Sequence, residues 1–352
     1  MSKKVLMCGN EVLAEASIMA GCRFYAGYPI TPQNELPAYM SRRMREAGGV
    51  FIQAESEISA INMVFGASLA GVRAMTSSSS PGISLKQEGI SYMVGCELPG
   101  VIVNIMRGGP GLGNIAPSQS DYFQATRGGG HGDYHTICLA PASLQEGVEL
   151  MQLAFDLADI YRTPVMVLGD GILGQMMEPV ELKQVTSHKS QDTSKDWVLD
   201  GCKGRDPRVI KSLLLGEGSL EALNQKLQKK YKTIKDKEER SEVLHGDDSH
   251  TIICSYGTTS RICRNVAERL RKDGKKVGIF RPITLWPFPE KALKKIAKHA
   301  KNFLVVEMSC GQMVDDVRLT LGSTKDIHFY GRSGGGVPTE EEILNKVSEI
   351  YE

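Results

Sequence analysis

From residue 4 to about 182, short β-rich runs alternate with helical segments, a pattern that confines this part of the chain to a parallel α/β architecture. The runs Val5–Cys8, Arg23–Ala26, Val50–Gln53, Arg73–Thr76, Val101–Met106, Thr136–Leu139 and Val165–Leu168 read as strands. A well-signalled helix lies between the last two. Ser143-Leu-Gln-Glu146 is a capping box, and Val148, Met151, Leu153, Ala154, Leu157 and Ala158 follow on a helical stripe. Pro164 stands just past its end.

Residues 183–250 change character: they are polar and poor in β-branched apolar residues. Leu220, Leu223, Leu227, Tyr231 and Ile234 recur there at helical spacing, so one amphipathic helix spans the connection. It is either a solvated linker or an arm packed on a partner subunit. A second α/β unit is expected from Thr251, with strands Thr251–Tyr256, Lys276–Phe280, Phe303–Glu307 and Ile327–Tyr330 and helices starting near Thr259, Glu290 and Gln312. The expected organisation is a domain over 1–182, a linker over 183–250 and a domain over 251–352, in a chain long enough for two cores.

Charge excludes some functions. The 42 basic and 41 acidic residues are mixed throughout, so no basic stripe exists for nucleic acid. No apolar run reaches the ~18 residues of a membrane span, and the start lacks a signal-peptide pattern, so a cytoplasmic protein is expected. The eight cysteines are Cys8, Cys22, Cys96, Cys138, Cys202, Cys254, Cys263 and Cys310, and they read as buried reduced thiols. None has the close spacing of a zinc or iron–sulfur site, and the seven histidines form no metal-ligand spacing.

Two segments stand out as candidate chemistry. Gly27-Tyr-Pro-Ile-Thr-Pro32 is a turn in which two prolines flank Thr31 and hold its hydroxyl at a strand end. Gln53-Ala-Glu-Ser-Glu57 then places carboxylates at the mouth of an apolar, small-residue helix, Ile58 to Gly71. Glu57 there either complements the helix dipole or is a desolvated carboxyl that grips a polar heterocycle. Glu55 reads as a structural strand end. Arg107 closes an apolar strand and opens the glycine-rich loop Arg107-Gly-Gly-Pro-Gly-Leu-Gly113. Its guanidinium fork suits a carboxylate, although arginines at strand ends are commonly plain surface residues. Ser77-Ser-Ser-Ser-Pro-Gly82 is a strand-to-helix turn that either holds an anion or caps a helix starting near Ile83.

On these motifs the chain resembles, nearly end to end, the α subunit of 2-oxoacid:ferredoxin oxidoreductases, most specifically over residues 27–180. The resemblance implies a thiamine diphosphate pyrimidine-binding-type sheet domain. The C-terminal part, including Arg281-Pro-Ile-Thr-Leu-Trp-Pro287, resembles the transketolase C-terminal domain. By resemblance, Glu57 holds N1′ of the cofactor's aminopyrimidine and Tyr28, Pro29, Ile30 and Thr31 lie beside the cofactor. Thr31 and Arg107 bind the substrate. Gly169-Asp170-Gly171 begins like the motif that holds Mg²⁺ and the diphosphate, but no asparagine stands in residues 194–201, where its partner belongs. Asp170 is therefore read as a helix cap, and this chain holds no metal.

The implied partners are a β subunit carrying the complete diphosphate motif, a γ subunit and a small ferredoxin-like δ subunit with the iron–sulfur clusters. Coenzyme A is the implied co-substrate and ferredoxin the electron acceptor, in anaerobic metabolism. Gly128-Gly-Gly-His-Gly132 and Gly331-Arg-Ser-Gly-Gly-Gly336 are not P-loops. The second precedes a capping box, Thr339-Glu-Glu-Glu342, with a coenzyme A contact through Arg332 as the other reading. Leu112, Ile115 and Ala116 suggest an apolar wall against the substrate tail. The segments Gly-Asn-Ile-Ala-Pro-Ser and Leu-Gly-Asp-Gly-Ile-Leu-Gly-Gln-Met-Met-Glu-Pro look most like members acting on 3-methyl-2-oxobutanoate, with 2-oxoglutarate or pyruvate as alternatives. A non-catalytic scaffold or nucleotide-binding subunit is the alternative of another class. Against it, Gly9-Asn-Glu lacks the further glycines of a dinucleotide fingerprint.

Overall fold

The computed structural model describes residues 4–184 and 195–351, so 185–194 of the expected linker lie outside the described residues. Fourteen strands are described: β1 Val5–Cys8, β2 Phe24–Gly27, β3 Val50–Gln53, β4 Ala74–Ser78, β5 Gly100–Met106, β6 Ile137–Leu139, β7 Pro164–Asp170, β8 Met177–Val180, β9 Ser241–Leu244, β10 Thr251–Cys254, β11 Val277–Pro282, β12 Thr284–Trp286, β13 Asn302–Glu307 and β14 Asp326–Gly331. The main sheet has the order β12-β6-β7-β5-β4-β2-β3 and is parallel except at β12. Every residue of β5 and β7 is buried, as their near-continuous apolar runs require in the middle of a parallel sheet.

The helix Leu144–Tyr161 forms from its expected cap: Ser143 Oγ accepts from the Glu146 amide at 3.2 Å, and Glu146 reaches back to the Ala142 amide at 2.7 Å. Arg162 ends it in the left-handed conformation (φ 46°). The helices expected near Thr259, Glu290 and Gln312 run over Thr259–Lys272, Glu290–Ile296 and Met313–Leu321.

Four strands depart from the expected plan. β1 lies outside the main sheet and pairs antiparallel with β8, Val5 opposite Val180. β9, in the stretch expected as linker, is the antiparallel edge of a second sheet of order β14-β13-β10-β11-β9. β12 leaves the second unit and pairs antiparallel with β6 of the main sheet. The segment Arg281 to Pro287 is therefore a bridge between the two sheets.

Arg281 reinforces that bridge from a buried position. Its Nη atoms donate to Glu146 at 2.9 and 2.8 Å, and its Nε donates to Glu242 at 2.8 Å. Trp286 stacks on His135 with centroids 4.6 Å apart and meets Tyr231 edge-on. Tyr231 belongs to the helix Ser219–Lys237, which buries Leu227, Tyr231 and Ile234 against this chain's own core. Lys230 pairs with Glu97 at 2.8 Å and Lys226 pairs with the same carboxylate. This helix is thus packed on its own chain rather than solvated.

Among the described residues no helix is long and apolar enough to cross a membrane, and no cluster of three or more His, Cys, Asp or Glu could hold a metal. All eight cysteines are free. Five are buried, in keeping with the expectation for most of them, whereas Cys8 is partly buried and Cys202 and Cys310 are exposed.

Candidate functional site

The carboxyl ends of β5, β4, β2 and β3 lie side by side in the main sheet, the edge at which open α/β sheets bind ligands. The segments that follow those ends are the ones singled out by sequence: the Arg107 loop, the serine turn, the Tyr28–Pro32 turn and the approach to Glu57.

Hydrogen bonds fasten these segments to one another. The Tyr25 hydroxyl bonds Ser77 Oγ at 2.7 Å, and Ser77 donates on to Gln33 at 2.6 Å, so the serine turn and the proline turn share a buried network. The Pro32 carbonyl accepts from Asn10 and Gln175 at 2.8 and 2.9 Å. Thr31 accepts from Asn34 at its hydroxyl (3.2 Å) and from Arg107 at its carbonyl (3.0 Å). Arg107 also donates to the Leu112 carbonyl at 2.9 Å, which folds its own glycine-rich loop back on it. Its Nε is buried with no partner. Ser80 ties the serine turn to this arginine by accepting from the Arg107 amide at 3.0 Å. Ser80 also donates to Asp121 at 2.6 Å, and Asn104 donates to the same carboxylate at 2.9 Å. Burial raises the Asp121 carboxyl above its ordinary range, although both of those hydrogen bonds pull it down.

Glu57 is the first residue of the helix Glu57–Leu69, whose N-cap, Ser56, accepts from the Ser59 amide at 3.2 Å. Its side chain is buried (7% exposed), whereas Glu55 is exposed and engages the Ser59 hydroxyl. The Glu57 carboxylate accepts no hydrogen bond among the described residues, and its oxygens are not among the solvent-excluded unpaired atoms. Gly82 makes its position possible: a Cβ on Gly82 would stand 2.0 Å from Ser78 Oγ and 2.6 Å from Glu57 Oε1. Beside it, the hydroxyls of Thr76, Ser78 and Ser79 are buried without partners.

The serine turn corrects one expectation. Its helix starts at Ser80 rather than near Ile83, and Ser79 at the N-cap makes no side-chain capping bond. A largely buried carboxyl with no protein partner, a glycine cradle and unpaired hydroxyls fit a flat heterocycle with hydrogen-bonding edges, the chemistry of an aminopyrimidine.

Other assignments also find their places. Asp170 caps the short helix after β7, accepting from the Ile172 and Leu173 amides at 2.9 and 3.0 Å and from Thr258 at 2.5 Å. Thr339 and Glu342 form the expected reciprocal cap, and Arg332 pairs with Glu342. A cavity of about 750 Å³ opens between the units, lined by Ser80, Leu112, Asp121, Cys310 and Gln312 among others. Of the expected apolar wall, Leu112 lines this cavity yet is 81% exposed; Ile115 is 65% exposed and outside it, and Ala116 sits close to Gly335.

Sequence reasoning missed Lys86, which is fully buried and whose Nζ donates to the Glu57 carbonyl at 3.5 Å. The signal was its spacing with Ile83, Ile90 and Met93 on the buried face of the helix Ser80–Gly95.

Comparison with known proteins places this site in context. Residues 15–241 match the family described as pyruvate flavodoxin/ferredoxin oxidoreductase, thiamine diphosphate-binding. Residues 249–343 match pyruvate:ferredoxin oxidoreductase core domain II. The ketoisovalerate oxidoreductase subunit VorB of Methanothermobacter marburgensis is 45% identical over 97% of this chain and 96% of that protein. The 2-oxoglutarate synthase subunit KorA of Methanothermobacter thermautotrophicus is 37% identical over 99% of this chain and 100% of that one. In structure, the 2-oxoglutarate:ferredoxin oxidoreductase from Magnetococcus marinus, with 2-oxoglutarate, coenzyme A and succinyl-CoA bound, superposes with a TM-score of 0.90. It is 28% identical, and the match covers all of this chain and 66% of that chain.

Proposed function

Because the chain belongs to the 2-oxoacid:ferredoxin oxidoreductase family, we propose that it carries the pyrimidine side of a thiamine diphosphate site in a multi-subunit enzyme. That enzyme acts on 3-methyl-2-oxobutanoate, producing the acyl-coenzyme A and CO₂ while ferredoxin is reduced. The carrying observation is Glu57: a buried carboxylate, free of hydrogen bonds among the described residues, held against Gly82 at the carboxyl edge of the sheet.

The bound cofactor supplies an electron sink for decarboxylation of the oxoacid. This chain supplies a carboxyl that holds a proton at N1′ in a water-poor setting, which favours the reactive tautomer. Tyr28, Pro29, Ile30 and Thr31 form the turn beside it. Arg107 bonds two main-chain carbonyls through its Nη atoms, so it fixes the turn and sets its positive charge at the strand end for the substrate carboxylate. A β subunit would bring Mg²⁺ and the diphosphate motif, and γ and small ferredoxin-like δ subunits would complete the complex, with clusters on the partners. Tyr28, Leu112 and Ile115 are exposed apolar residues beside the site, suited to burial against such a partner. Free cysteines fit a cytoplasmic setting.

The branched-chain substrate is supported by the higher identity to the ketoisovalerate subunit than to the 2-oxoglutarate one. Between Arg107 and Ser118 the loop also offers no second cation to meet a distal carboxylate. The test is kcat/KM of the reconstituted complex for 3-methyl-2-oxobutanoate, pyruvate and 2-oxoglutarate. Each methylene placed against apolar side chains is worth about 0.8 kcal/mol, so the branched substrate should lead pyruvate by at least tenfold. A lead for 2-oxoglutarate would refute the substrate while leaving the family intact.

A further inference from the structure

Lys86 is a costly residue to bury, and nothing in the fold repays that cost unless its charge is used. Its side chain is fully enclosed on the helix Ser80–Gly95, which packs against the helix Glu57–Leu69. An ammonium has three donors to satisfy, yet its one hydrogen bond among the described residues is the 3.5 Å contact with the Glu57 carbonyl, at the limit of bonding distance. A lysine kept for architecture alone would be fully paired.

The ionisable groups around it are few. Glu57 is the only one on the facing helix, and β4 and β5 beneath carry none. On its own helix Glu88 is exposed and occupied by Tyr92 at 2.7 Å. Asp121, at the start of that helix, is held by Ser80 and Asn104. From the Gly128–Gly132 segment and the residues just after it come His131, whose carbonyl bonds Ser91, and Tyr134, which bonds the neighbouring Gln87. Burial pushes the Lys86 ammonium down to about 8, and the Glu57 charge opposes that shift.

We propose that Lys86 is a positioning residue, an internal counter-cation that braces the start of the Glu57 helix through the Glu57 carbonyl and sets the pH range over which the pyrimidine is activated. The pair is built across two helices: Gly82 lets the carboxylate lie against the Ser80–Gly95 helix, and one turn further on the same helix presents the ammonium. The proposal rests on Glu57 being the group that meets the pyrimidine. A cation near the site disfavours the protonated form of the ring nitrogen. Removing it therefore moves the pH window of activation upward.

Two measurements test this. In the isolated full chain, ¹⁵N NMR should show Lys86 Nζ, assigned against Lys86→Arg, titrating near pH 8; Glu57→Gln should lower that midpoint by about one unit. An unchanged midpoint overturns the proposal. In the reconstituted complex, Lys86→Met should shift the pH profile of hydrogen exchange at the thiazolium C2 upward by about one unit, and Lys86→Arg should restore it. Exchange that depends on Glu57 but follows the same pH profile with and without the lysine overturns the proposal alone. Wild-type exchange in Glu57→Gln overturns the reading of the site, and the proposal with it. If Lys86→Met does not assemble, the NMR titration decides.

Discussion

Gly82→Ala separates the site from the fold more cleanly than removal of any functional side chain. The added Cβ would stand 2.6 Å from Glu57 Oε1 and 2.0 Å from Ser78 Oγ, where ordinary contact begins at 3.4 Å. Ser78 can rotate its hydroxyl aside, so the lasting displacement falls on the carboxylate, which must retreat by close to 1 Å. A misplacement of that size at a reacting centre costs on the order of 10²-fold in rate. Stability responds differently. Alanine favours the helix by up to about 1 kcal/mol over glycine, and overpacking costs ~1–3 kcal/mol, so the net loss is small beside a typical 5–15 kcal/mol.

The control is Gly66→Ala, in the facing helix, where a Cβ meets nothing within 4 Å. It should raise stability by ~0.5–1 kcal/mol and leave activity alone. The assay pairs thermal unfolding of the chain with ferredoxin reduction by the reconstituted complex. Wild-type turnover in Gly82→Ala would refute the claim that carboxylate placement matters.

Two further outcomes follow from the geometry. Arg281→Met leaves Glu146 and Glu242 without their shared cation between the two sheets; discounting for partial exposure of Glu242, we expect a loss of about 3 kcal/mol in urea unfolding, and a loss below about 1 kcal/mol would contradict a structural role. Arg107→Lys keeps the charge but cannot span both the Thr31 and Leu112 carbonyls; KM should rise on the order of tenfold for every oxoacid while their ranking stands, and a changed ranking would show that this arginine selects the tail.

The residues legible in the sequence were those whose signal is local. Ser143 and Glu146 make a cap within four positions, Glu57 stands at a helix start after a strand, and Arg107 ends an apolar run. What escaped was long-range. Thr284–Trp286 is too short to show a period, and its antiparallel partner in β6 lies nearly 150 residues earlier. Ser241–Leu244 is a polar edge strand and reads as loop. Lys86 carries the spacing of a core residue and the chemistry of a surface one, and only the facing helix explains it. The role of Gly82 is likewise invisible until Glu57 is seen across from it. The Leu112–Ile115 loop failed differently: apolar residues suggested a closed wall, but in the single chain they face outward.

The most direct test of the account is hydrogen exchange at the thiazolium C2 in the reconstituted complex carrying Glu57→Gln. The amide keeps the shape of the side chain but cannot hold the proton at N1′, so exchange should fall by ~10²–10⁴-fold while the complex assembles normally. Exchange at the wild-type rate in an assembled Glu57→Gln complex would contradict the central claim that this carboxyl activates the cofactor.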